Sequence, residues 1–149
     1  MTPIAPLMTD FLRVHLPKDR GFSPNTCETY AHAFRVLFQF AASNLKKKPS
    51  QIYLEELDAK LVLEFLADIE KTRKNTASTR NARLAAIKSF MRFVEFKMPS
   101  TLSQAAQVQA IRSKRYDYPL VKHLTMDEIK SVLNAPNIST RLGLRDRAM

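Results

Sequence analysis

The chain has 149 residues, 45% of them hydrophobic, which suits one packed domain, or one domain plus part of another, and excludes a disordered chain. Its single cysteine, Cys27, excludes an internal disulfide and a thiolate metal cluster, and no apolar run approaches the ~18 residues of a membrane span. A net charge of +10 points to a polyanionic partner.

The first predicted helix covers Pro3 to about Leu16. Ile4, Leu7, Met8, Phe11 and Leu12 recur on one helical face, and "LPKDRGF" ends it at Pro17 and Gly21. Ser23 is a good N-cap for the second helix, with Pro24 at its first position, where a missing N–H costs nothing. Cys27, Tyr30, Phe34, Leu37 and Ala41 mark its buried stripe, and it runs to about Asn44. Cys27 reads as a small core residue.

Asp58 caps the third helix, whose core face is Leu61, Val62, Phe65, Leu66 and Ile69. Glu64, Asp68 and Glu70 make this stretch acidic: residues 49–75 carry −2 while 23–48 carry +3 and 76–100 carry +4. A surface built only for solubility mixes its signs more evenly.

The fourth helix, in "NTASTRNARLAAIKSFMRFVEF", is the most informative. Leu84, Ile87, Met91 and Val94 fall within about 80° of arc and face the core. Asn81, Lys88 and Arg92 lie on an adjacent stripe, and Thr79, Arg80 and Arg83 crowd the first turns. Basic residues at a helix N-terminus oppose the macrodipole, so an anionic ligand is the natural compensation. A short fifth helix is expected in "TLSQAAQVQAI". The segment "RSKRYDYPLVKH" has four basic residues and no helical period, and reads as a linker. Thr125 and Glu128 form a capping box for a further helix carrying Ile129, Val132 and Leu133, which stops before Pro136. The last residues, "STRLGLRDRAM", open another helix. No strand and no internal repeat is evident.

The expected fold class is therefore all-α: a bundle of four to five helices over residues 1–112, a basic linker over 113–124, and one or two helices over 125–149. The N-terminus has neither a basic start nor a small-residue cleavage site, so the chain reads as cytoplasmic. No phosphate-binding loop, nucleophile elbow or zinc-binding helix motif is present, and His15, His32 and His123 lack ligand spacing. Neither cofactor nor metal is expected, nor a small-molecule substrate. Membrane binding is disfavoured, since no helix has a clean basic and apolar split.

The residue types in "NTASTRNAR" are those that contact phosphate, and a helix start can enter a major groove. Double-stranded DNA is thus the expected partner. The candidate contacts are Asn25 and Thr26 on the second helix, Thr79, Arg80, Asn81, Arg83 and Lys88 on the fourth, and Lys114, Arg115 and Lys122 in the linker. Two rival readings are an all-α protein-interaction module with a basic face and a helix-turn-helix repressor. The acidic third helix argues against the second.

Four stretches in register, "SPNTCETY" (23–30), "TASTRNARLAAIKSF" (76–90), "LTMDEIKSVLNAP" (124–136) and "GLRDRAM" (143–149), closely resemble the N-terminal half of tyrosine-type site-specific recombinases, the phage-integrase family. The resemblance implies a SAM-like core-binding domain, a linker, and the opening helices of a catalytic domain, the two parts closing on duplex DNA. It implies that full-length members cut and rejoin strands with a tyrosine nucleophile and no metal, and self-associate on DNA. In such proteins "LRDRAM" leads into a T-G-x-R motif bearing the first catalytic arginine, so the present stretch is expected to hold no catalytic residue. His32-Ala-Phe-Arg35 spells H-x-x-R but lies where the family has no active site. Tyr30 matches a packed core tyrosine.

Overall fold

The computed structural model of the chain describes residues 1–117 and 123–148. The chain forms two compact units, Met1–Tyr116 and Asp117–Met149. The described residues are helical, with no strand beyond an isolated bridge between Pro3 and Tyr53.

In the first unit α1 spans Ile4–Asp10, and the helix continues from Phe11 to Asp19 with π-helical geometry. The sequence reading stopped this helix near Leu16, but it passes through Pro17. A proline ring in an α-helix clashes with the carbonyl four residues earlier, and the wider turn relieves that clash. Arg20 N–H donates to the His15 carbonyl at 2.9 Å, and Gly21, at φ +63°, reverses the chain.

Helix α2 spans Pro24–Leu45, α3 spans Ala59–Lys71 and α4 spans Ala77–Lys97. Each starts at a side-chain cap. Ser23 Oγ accepts from Thr26 N–H at 3.3 Å, Asp58 Oδ1 from Leu61 N–H at 2.7 Å, and Thr76 Oγ1 from Thr79 N–H at 3.3 Å. Helix α2 ends at Lys46, which takes the left-handed conformation more often left to glycine. A short turn at Pro99–Thr101 leads into α5, Leu102–Gln109.

Helix α4 is central and packs against α2, α3 and α5. Leu84, Ile87, Phe90, Met91 and Val94 are buried on it, facing Leu61, Val62, Phe65, Leu66 and Ile69 of α3 and Phe34 and Leu37 of α2. Phe11, Phe34 and Phe90 meet edge to face, with ring centroids 5.9, 5.4 and 5.5 Å apart. Such pairs add ~0.5–1.5 kcal/mol each beyond the area they bury. Cys27 and Tyr30 are half-buried against this core, Tyr30 between the rings of Phe11 and Phe22. Gln104 on α5 donates to the carbonyls of Leu54 and Leu57, which ties α5 to the turn before α3.

In the second unit α6 spans Met126–Asn134 and α7 spans Arg141–Ala148. The capping box is present: Thr125 N–H donates to Glu128 Oε2 at 2.8 Å, and Glu128 N–H to Thr125 Oγ1 at 3.3 Å. Gly143 is buried where a Cβ would fall 1.9 Å from the Asn137 carbonyl oxygen, so only glycine fits. Val132 and Leu133, expected on an apolar face, are exposed. Among the described residues no helix is long and apolar enough to cross a membrane.

Candidate nucleic-acid interface

Helices α2 and α4 lie side by side and leave a cleft of about 380 Å³ between them. Thr29, Tyr30, His32 and Ala33 line it from α2, and Thr79, Ala82, Arg83, Ala85 and Ala86 from α4. The alanines leave the room that larger side chains would fill. A second hollow of about 450 Å³ shares Tyr30 and Ala85 with the first and adds His15, Arg20, Lys88 and Arg92. A third, at the start of α2, shares Thr29 and His32 and adds Asn25, Glu28 and Arg35.

Arg83 stands out in this cleft. Its Nε and Nη1 are buried and have no hydrogen-bond partner among the described residues. Burial pushes its guanidinium below its ordinary value, and the repulsion of Arg73 adds to this. A half-buried cation without a carboxylate beside it is an uncompensated charge. Lys88 is also pushed down, first by burial and then by Arg92.

Other candidates are occupied within the chain. Arg80 is 6% exposed, with Nε 3.8 Å from Glu70 Oε2 and Nη1 3.5 Å from the Arg112 carbonyl oxygen. Asn81 Nδ2 donates to the Lys114 carbonyl at 2.7 Å, and the Lys114 amide donates back to Asn81 Oδ1 at 2.9 Å. Lys88 Nζ donates to the Ile111 carbonyl at 2.6 Å. The Lys114 ammonium is 2.8 Å from both carboxylate oxygens of Glu70. Arg80, Asn81, Lys88 and Lys114 are thus brought together, but around the segment leaving α5.

Thr79 and Asn25 are exposed, and Thr26 is half-buried with its hydroxyl 2.9 Å from Ser23 Oγ. Arg115 is exposed, and Lys122 lies outside the described residues. The sequence reading did not single out Thr29 and His32 as contacts. With Asn25 they follow an i, i+4, i+7 spacing, a polar stripe that could have marked them. Arg92, on the Asn81 and Lys88 stripe, was not among the candidates, and Arg20 carried no local signal.

The fold defines a class, an all-α helical bundle with a cleft between α2 and α4 that holds the Arg83 cation. The model of the phage integrase N-terminal SAM-like domain matches residues 9–96. The chain belongs to the phage integrase family. It is 44% identical over 144 residues to y4rD, a proposed integrase/recombinase of Sinorhizobium fredii, an alignment covering 97% of this chain and 51% of that one. It is 41% identical over 145 residues to y4rC of the same organism, covering 97% and 44%. It is 28% identical over 149 residues to the tyrosine recombinase XerC of Myxococcus xanthus, covering 100% and 46%. The chain therefore spans about half the length of the curated relatives it matches. No solved structure matches it.

Proposed function

We propose that this chain binds duplex DNA as the N-terminal part of a tyrosine recombinase, serving site-specific recombination and integration. The observation that carries the reading is Arg83, a half-buried guanidinium that lines the α2–α4 cleft, with two nitrogens unpartnered among the described residues. A phosphate oxygen or a base edge at the mouth of the cleft offers this guanidinium the countercharge that no carboxylate among the described residues supplies. Arg20, Lys88 and Arg92 extend the positive potential along the cleft, and Asn25, Thr26, Thr29, His32 and Thr79 supply neutral donors on its rim. Arg115 adds a further exposed cation after α5, and Lys122, outside the described residues, is kept as a candidate contact from the sequence alone.

In this reading residues 1–112 are the core-binding domain, 113–124 the linker and 125–149 the opening of the catalytic domain. The cutting and rejoining of strands, and self-association on DNA, belong to the whole protein, with the catalytic residues outside this stretch. The setting is the cytoplasm of a bacterium, at the chromosome or a phage genome.

The test is fluorescence anisotropy with a mixed-sequence duplex across a salt series. Each phosphate contact contributes about 0.9 to the slope of log K against log salt. Arg83→Ala is expected to reduce that slope by about 1. A chain that shows no salt-dependent binding is a protein-interaction module instead.

A further inference from the structure

A backbone that leaves regular structure must still pair its polar groups. Between Ile111 and Lys114 the chain is neither helix nor strand. Even so, the carbonyls of Ile111, Arg112 and Lys114 and the amide of Lys114 all find partners, each a side chain of α4. Arg80, Asn81 and Lys88 form one track for this short segment. Ile111 is buried beneath it, and Gln109 fixes the near end by donating to the Lys88 carbonyl at 2.8 Å.

We infer that Asn81 is a positioning residue, a two-point latch that sets where the connector leaves the bundle. Of the three side chains only Asn81 both donates to and accepts from the segment, and both bonds to the segment fall on Lys114, while its Oδ1 also accepts from Arg80 Nη1 at 3.3 Å. A single bond leaves the peptide free to pivot, while the pair fixes its plane. The Lys114 ammonium, drawn to Glu70 of α3, holds the same residue from a second helix. Arg115, the next residue, therefore starts from a fixed point against α4. Its contribution to duplex affinity, which rests on the DNA reading above, is made with less ordering on binding.

The test measures amide exchange on the full 149-residue chain, free of DNA, and duplex affinity on the same samples. In Asn81→Ala the Lys114 amide is expected to exchange about tenfold faster, while interior amides of α2 and α4 keep their rates. Duplex affinity falls a few-fold with the salt slope unchanged, because no cation has been removed. Asn81→Asp keeps the acceptor for the Lys114 amide but sets its second oxygen against the Lys114 carbonyl, so protection returns in part. Unchanged exchange at Lys114 in Asn81→Ala overturns the latch. Faster exchange with unaltered affinity overturns its link to DNA binding. If the unsubstituted chain binds no duplex, the DNA reading falls and the exchange rates alone decide the latch.

Discussion

Arg80 Nε and Glu70 Oε2 stand 3.8 Å apart where α3, α4 and the segment leaving α5 converge. The arginine is buried and the glutamate is shared with the Lys114 ammonium. A cation in this setting holds helices together and is poorly placed to meet a ligand. Four predictions follow from this and from other features of the first unit.

Arg80→Ala is expected to lower the stability of the first unit by about 2 kcal/mol, through lost packing and a weakened ion network. The salt slope of duplex binding should stay as in the unsubstituted chain. Urea titration and anisotropy check the two parts separately. A slope reduced by about 1, with stability intact, would place Arg80 at a phosphate after all.

Arg83→Leu should do the reverse. Removing an uncompensated half-buried cation and leaving a shorter apolar side chain in its place raises stability by up to about 1 kcal/mol. Duplex binding weakens at the same time. A loss of urea resistance in this variant would mean that Arg83 has an internal role not visible in its hydrogen bonds.

The four core residues expected along α4, and the five along α3, are all buried. Their legibility has a simple cause, since helical period and caps are local. The same period carried more than was taken from it. Arg80 lies four residues before Leu84, so it continues the Leu84, Ile87, Met91 stripe by one turn into the bundle. Arg83 stands in the same relation to Ile87 and Phe90 on the other flank. The stripe of Asn81 and Lys88 was correctly seen as polar, but its partner was not legible. The segment from Ile111 to Lys114 has no period of its own, and only tertiary packing lays it against α4. The π-helical passage through Pro17 was hidden for a related reason, since a proline normally ends the pattern.

Phe90→Ala is expected to cost about 3–5 kcal/mol, because the residue is fully buried and touches both Phe11 and Phe34. Loss of cooperative urea unfolding in the first unit is the measurement. A cost under about 1 kcal/mol would show that the three rings repack around the gap.

Acid should weaken the turn that anchors the N-terminus. Glu55 is held below the usual carboxylate range chiefly by the Thr2 backbone amide, and Glu56 chiefly by Lys47 and then by the Tyr53 amide. Carboxylates with lowered values in the fold stabilise it fully above the unfolded value of 4.5, and that stability is lost as the pH falls through the folded values. Glu55 is exposed and Glu56 half-buried at the surface, so solvent screening keeps the effect small. Comparing urea midpoints at pH 6 and pH 3 should show a smaller drop for the Glu55→Gln, Glu56→Gln double variant than for the unsubstituted chain.

The passage through Pro17 also governs how the chain tolerates a change of length. A π-helical turn stores more residues than an ordinary one, so deleting one residue between Phe11 and Asp19 can be absorbed by tightening the spiral. The same deletion within α4 has no such slack. It would rotate every later side chain by about 100° and turn the apolar seam towards water.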